Sequence, residues 1–85
     1  INRGNYSIVE EKIPADAPAV GVRIMDANIP AQSVITAIIR HGDVVIPRGD
    51  TVFQAGDEVM ALTDRESMPL LAKLFGGAPP ARREQ

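Results

Sequence analysis

The chain has no cysteine and no tryptophan, one tyrosine and one histidine among its 85 residues. Without cysteine there is no disulfide, no thiolate metal site and no thiol nucleophile, which is compatible with a reducing cytoplasm. His41, alone in a glycine turn, supports neither a zinc site nor a catalytic triad. A dominant charge is missing too, because nine basic and eleven acidic residues alternate in small groups and leave a net charge of −2. With no basic stripe, nucleic acid is not an expected partner. No apolar run approaches the ~20 residues that cross a bilayer, no signal peptide is visible, and no Gly-rich phosphate loop is present. Glu10 and Glu11 are neighbours on an expected strand and face opposite sides, so they do not form a carboxylate pair. No catalytic residue and no metal ligand set emerges, and an enzyme is not expected.

What the chain does have is apolar material, 45% of its residues, enough for the core of one small domain. A chain this short buries only about 60% of the surface its unfolded form exposes, so a partner surface would help it. It starts at Ile1 instead of Met, which suggests that it was cut from something longer. The organisation expected is a linker over 1–4, a domain over 5–76 and a mobile proline-rich tail over 77–85.

The expected fold class is α+β: a small mixed or antiparallel sheet, a short helix after the first strand and a C-terminal amphipathic helix. A loose period of two over "YSIVEEKI" reads as a strand, stopped by Pro14 and Pro18. In "VGVRIMDANIP", Val20, Val22 and Ile24 alternate as in a strand, whereas Val22, Met25 and Ile29 fall at i, i+3 and i+7; a short helix ending before Pro30 is favoured. The β-branched run Val34 to Arg40 reads as a central strand buried on both faces. His41-Gly42 then forms a two-residue hairpin loop, followed by strands in "DVVIP", "TVFQ" and "DEVMALT". Thr63 and Glu66 have capping-box spacing before a helix whose apolar face is Met68, Leu71, Ala72 and Phe75. Pro69 delays its regular part to about Ser67, and Gly76-Gly77 ends it.

Gly-Asp-x-Val occurs three times, starting at Gly42, Gly49 and Gly56. Calcium β-rolls use a nine-residue glycine-rich repeat, and this spacing is seven. The reading preferred is turn chemistry: glycine reverses the chain, Asp43, Asp50 and Asp57 accept backbone N–H bonds just ahead, and each valine starts a strand. "RGD" at Arg48 to Asp50 is an adhesion tripeptide of the kind that recurs by chance.

The succession "YSIVEEKIP", "AVGVRIMDANIP" and "SVITAIIRHGDVVIPRGDTVFQAGDEVMALTD", closed by an amphipathic helix, resembles the C-terminal domain of the regulator-of-potassium-conductance family, also called the TrkA-C or RCK_C domain. The resemblance covers about Asn5 to Gly76 and is carried by the order and spacing of all the pieces. It implies a TrkA-C-like sandwich that dimerises and serves as a regulatory, ligand-sensing module of a potassium or other cation channel or transporter. It further implies an upstream nucleotide-binding domain, a membrane subunit as partner, and a place in the cytoplasm at the inner face of the cell membrane. NAD(H) or ATP/ADP is expected only in that upstream domain, and no cofactor here. "GDVVIPRGDTVFQAGDEV" also resembles AbrB-type swapped-hairpin DNA-binding domains, but those are typically basic.

The apolar segment around Val22, Met25 and Ile29 and the strand Val34 to Ile39 together carry more apolar surface than one small sheet and one helix need to cover, which points to a homodimer with Val22, Met25 and Ile29 at its interface. Some members of the resembled family bind c-di-AMP between two subunits through an arginine and an asparagine amid aliphatic residues. With "AIIR" in register, those positions hold Pro30 and Val34, while Ile29 and Ile35 keep the aliphatic wall. A groove at Ile29, Pro30, Val34 and Ile35 is therefore expected, with weak or no affinity for c-di-AMP, and Arg23 or Arg40 could substitute only by reaching in from elsewhere.

Overall fold

A computed structural model describes residues 6–77; the expected linker over 1–4 and all but the first residue of the expected tail lie outside that range. Four strands, β1 (Tyr6–Lys12), β2 (Ser33–Arg40), β3 (Asp43–Val45) and β4 (Glu58–Asp64), form one sheet in the order β1-β4-β2-β3, and every pairing is antiparallel. One helix, α1 (Met68–Leu74), follows. The α+β class expected from the sequence is thus present, in its antiparallel form.

β4 is the centre of the sheet, and its burial alternates strictly: Val59, Ala61 and Thr63 are buried, while Glu58, Met60, Leu62 and Asp64 are half-buried. Period two assigns the first set to a core face and the second to an outer face. Across the core face lie Ile13, Ala17, Ala19, Ala27, Phe53, Leu71 and Phe75, with the two phenylalanine rings in edge contact at 5.2 Å between centroids. Among the described residues no second sheet covers the outer face. β2 is central, but it is not buried on both sides: Val34 on the outer face is 57% exposed. An irregularity at Thr36 shifts its register, so Ile35 pairs with Ala61 while Ala37 pairs with Met60. That extra residue brings Ile38 onto the core face, where it is fully buried.

The helix expected in "VGVRIMDANIP" shrinks to one 3-10 turn, Ile24–Asp26. Expected strand "TVFQ" does not join the sheet either, apart from a single bridge between Val52 and Arg23. The two departures have one cause: these segments hydrogen-bond to each other. Gly21 N–H donates to Phe53 O, Phe53 N–H to Val22 O, Ile24 N–H to Thr51 O and Met25 N–H to Gly49 O, all at 2.9–3.1 Å. Backbone groups satisfied across a ribbon cannot also close α-helical turns. The ribbon is the second layer over the core face.

The hairpin is as expected: His41 and Gly42 both have positive φ, 53° and 82°, as a two-residue type I′ loop requires. The capping box is not formed. Thr63 stays in β4, its Oγ1 sharing a 2.7 Å bond with Ser33 Oγ, and Asp64 Oδ1 instead accepts the N–H of Ser67, the N-cap residue. Pro69 falls in the first turn, where its missing N–H has no intrahelical partner to lose. The helix ends in a Schellman arrangement, with Gly77 N–H on Ala72 O and Gly76 N–H on Lys73 O.

Candidate functional site

Of the three Gly-Asp repeats, one aspartate is structural. Asp57 is fully buried and accepts a two-pronged fork from Arg40, Nε to Oδ1 and an Nη to Oδ2, both at 2.9 Å, while Gln54 N–H donates to Oδ2. The donor lies three residues behind the aspartate and not ahead of it. Arg40 also donates to Val52 O at 2.9 Å. Burial pushes the Asp57 carboxyl up, but the Arg40 fork, the Gln54 N–H and the Arg40 and His41 charges together bring it below the usual carboxylate range. Arg40 is raised in turn by its bonds to Asp57. Asp43 and Asp50 are exposed and make no side-chain hydrogen bond among the described residues, so the repeat is three turns with one buried anchor. The described residues contain no cluster of three or more His, Cys, Asp or Glu that could hold a metal ion.

The concavity of interest is an open groove of about 440 Å³ at the start of β2. Its walls come from the 3-10 segment (Ile24, Met25, Asn28, Ile29), the first residues of β2 (Ser33, Val34, Ile35) and the turn Pro47, Arg48, Gly49. Three of the four residues expected to form a groove, Ile29, Val34 and Ile35, line it together; Pro30 is half-buried and is not among the lining residues. Of the residues expected at a dimer interface, Met25 is 58% exposed at the groove, whereas Val22 and Ile29 are half-buried against the core.

The groove also contains residues that sequence reasoning missed. Arg48 and Asn28 lie on its wall. Neither stands out in the sequence, because Arg48 reads as part of a turn and Asn28 as the end of a helix. Backbone geometry puts them there: Asn28 has a φ of 59°, which asparagine tolerates better than most residues. The two arginines considered as substitutes are committed elsewhere, Arg40 to Asp57 and Arg23 to Asp26 at 2.7 Å. The Ser33 hydroxyl is taken up by Thr63. A smaller hollow at the opposite end of the sheet is lined by Lys12, Ile39, His41, Gly42, Gly56 and Glu58. There Lys12 and Glu58 are cross-strand partners of opposite charge, leaving little net field for a ligand.

The outer face of the sheet adjoins the groove. Register places Ile8 opposite Leu62 and Leu62 opposite Val34, an apolar row across β1, β4 and β2. Ile8 and Val34 are each 57% exposed. Val34 belongs both to this row and to the groove wall.

A family model, that of the TrkA-C domain, matches residues 8–76. No curated protein matches the chain. Among solved structures, an RCK domain with cda is similar at a TM-score of 0.67 and 21% identity, over 81% of this chain and 97% of that one. The RCK_C domain dimer of S. agalactiae BusR in complex with c-di-AMP is similar at 0.70 and 22%, over 81% and 95%. S. agalactiae BusR in complex with its busA-promotor DNA is similar at 0.71 and 20%, over 88% of this chain but 39% of that longer one. These likenesses are ones of fold, and with the family match they displace the swapped-hairpin alternative.

Proposed function

The chain belongs to the TrkA-C domain family, and from that premise we propose that it is a non-catalytic, dimerising, ligand-sensing module that regulates a potassium or other cation channel or transporter. The observation that carries this reading is the groove beside the start of β2, open to solvent and sharing Val34 with an uncovered apolar sheet face. A second copy seated on that face covers the row Ile8, Leu62 and Val34 and closes the groove, so ligand and dimer stabilise each other through linkage. The mechanism is a coupling of two equilibria and involves no bond-making.

In this reading the domain acts with an upstream nucleotide-binding domain and a membrane subunit, on the cytoplasmic side of the membrane. No helix among the described residues is long and apolar enough to cross a membrane. The ligand is a small molecule, and nucleic acid is not expected to bind, since a domain at −2 lacks the basic stripe on which phosphate contacts depend. Calorimetric titration with nucleotides, c-di-AMP among them, paired with sedimentation of free and loaded protein, tests the proposal. Heat of binding accompanied by a shift toward dimer is the expected result, and a protein that remains monomeric and takes up no nucleotide rules it out.

A further inference from the structure

We infer that the hollow at the hairpin end of the sheet, opposite the groove, is a second binding site, for a small zwitterion of the amino-acid class, with its carboxylate on Lys12 and His41 and its ammonium on Glu58. This site is independent of the groove and stands even if the groove binds nothing.

The walls come from two of the three Gly-Asp repeats. The His41-Gly42 loop stands on one side and Gly56 on the other, with Ile39, Lys12 and Glu58 between them, around a volume of about 360 Å³. Gly42 and Gly56 have φ of 82° and 88°, and a β-carbon built on either meets nothing within 4 Å, so both turns border open space. The volume is at the small end of the range for small-molecule sites, enough for an amino acid.

The buried ion pair holds these two turns at a fixed separation. Arg40 immediately precedes the hairpin loop and Asp57 immediately follows Gly56, so the fork between them, two bonds at 2.9 Å, ties one turn to the other. Gly56 N–H also donates to Ile13 O at 2.7 Å and Ile13 N–H to Asp57 O at 2.9 Å, which anchors the end of β1 beside Lys12. A site whose walls are set before a ligand arrives loses little binding energy to ordering. The pair, otherwise a costly way to gain stability, thus acquires a positioning role.

Charge then selects the ligand. Lys12 and Glu58 are directly opposed in register, where cross-strand side chains are close enough to pair. They do not: the ion pairs among the described residues are Arg23–Asp26 and Arg40–Asp57. His41 adds an imidazole, near enough for its charge to help hold Asp57 ionised. Asp43, beside Gly42, is exposed and is not on the wall. A simple ion gains little from two opposed charges, because attraction to one is offset by repulsion from the other. A molecule that carries both signs is attracted by both. In an α-amino acid one carbon separates carboxylate from ammonium, a spacing that two facing side chains can bracket, and half-buried Ile39 offers its side chain an apolar wall.

The test is a set of ¹H–¹⁵N correlation titrations of the intact chain, carried to tens of millimolar, with alanine, leucine and glutamine and with the N-acetyl and amide derivatives of each, which keep only one charge. At least one amino acid should shift Ile39, Gly42 and Gly56 saturably and bind about tenfold or more tightly than either of its derivatives. Glu58→Gln and Lys12→Met should each weaken that amino acid roughly tenfold to a hundredfold, since each removes one charge-assisted contact. Glu58→Gln should leave the N-acetyl derivative, which has no ammonium, no weaker than before. A single-charge derivative that binds as tightly as its amino acid, or a Glu58→Gln variant with the parent's affinity, overturns the assignment. Shifts confined to Met25, Asn28 and Val34 overturn it too, because the amino acid would then sit in the groove, and so does the absence of shifts with all of these compounds. The comparison of derivatives is made on the parent chain, so it decides the question even where a variant fails to fold.

Discussion

Taking a carboxylate out of water costs several kcal/mol, and the fold accepts that at Asp57 only because Arg40 and Gln54 N–H meet both of its oxygens. Asp57→Asn keeps the shape but leaves Arg40 facing a neutral amide, and should lower unfolding stability by about 3 kcal/mol in urea denaturation at neutral pH. The sign of the pH dependence follows from the depressed carboxyl. Its contribution is complete above the unfolded value of about 3.9 and is lost as pH falls through the lower folded value, so the acid-side loss should be shallower in Asp57→Asn than in the parent. Glu11 acts in the opposite sense: burial raises its carboxyl, so its penalty applies at neutral pH and is relieved on acidification. Ser33 and Thr63 give a second test. Thr63→Val strands the buried Ser33 hydroxyl and should cost about 1–3 kcal/mol, most of it recovered in the double variant Ser33→Ala, Thr63→Val, in which both partners are gone. None of these pairings is visible in the sequence, because Arg40 and Asp57 are 17 positions apart and Ser33 and Thr63 are 30 apart.

Elements were legible wherever a local cause fixed them. The His41-Gly42 hairpin, the alternation in β4 and the helix face of Leu71, Ala72 and Phe75 each depend on residues within a few positions of one another. Illegible were the segments whose partner is remote: Gly21–Met25 and Gly49–Phe53 hold each other by backbone bonds, and the apolar spacing of Val22, Met25 and Ile29 matches a helix without forming one. The groove inherits this split: the family resemblance pointed to Ile29, Pro30, Val34 and Ile35, of which Pro30 is not on the wall, whereas Arg48 and Asn28 depend on how those two segments meet. The helix end yields a sharp comparison. Gly76 has a φ of 79°, and a β-carbon there would lie 2.8 Å from Pro14 Cγ and 3.2 Å from Ala17 Cα. Gly42 has a similar φ of 82° with nothing within 4 Å. Gly42→Ala should therefore cost about 1 kcal/mol of left-handed strain, and Gly76→Ala about 2–3 kcal/mol because overlap with backbone adds to it. Equal thermal midpoints for the two variants would show that the helix end can yield.

At the scale of the whole molecule the asymmetry of the sheet matters most. One face carries the core, and the other shows Ile8, Leu62 and Val34 in a continuous row, with Met60 half-buried and Tyr6 exposed beside it. Scattered apolar residues are normal on a surface, but a contiguous row rimmed by Glu10, Lys12 and Asp64 is what a self-complementary interface requires. Ile8 separates the consequences cleanly, because it belongs to the row and does not line the groove. Ile8→Asp buries nothing new in the monomer, where the side chain is already 57% exposed, so the fold should survive with stability changed by about 0.5 kcal/mol or less when measured as monomer. In the dimer the same carboxylate would be desolvated against an apolar partner, which costs several kcal/mol and should shift the dissociation constant at least a hundredfold toward monomer. Because in the proposed dimer a second copy also completes the groove, ligand affinity should fall in Ile8→Asp even though every groove residue is intact. Sedimentation velocity across a concentration series, with and without nucleotide, measures both effects. A variant that still forms dimers with the parent's concentration dependence would mean that another surface, such as the exposed Met25 and its neighbours, brings the two copies together.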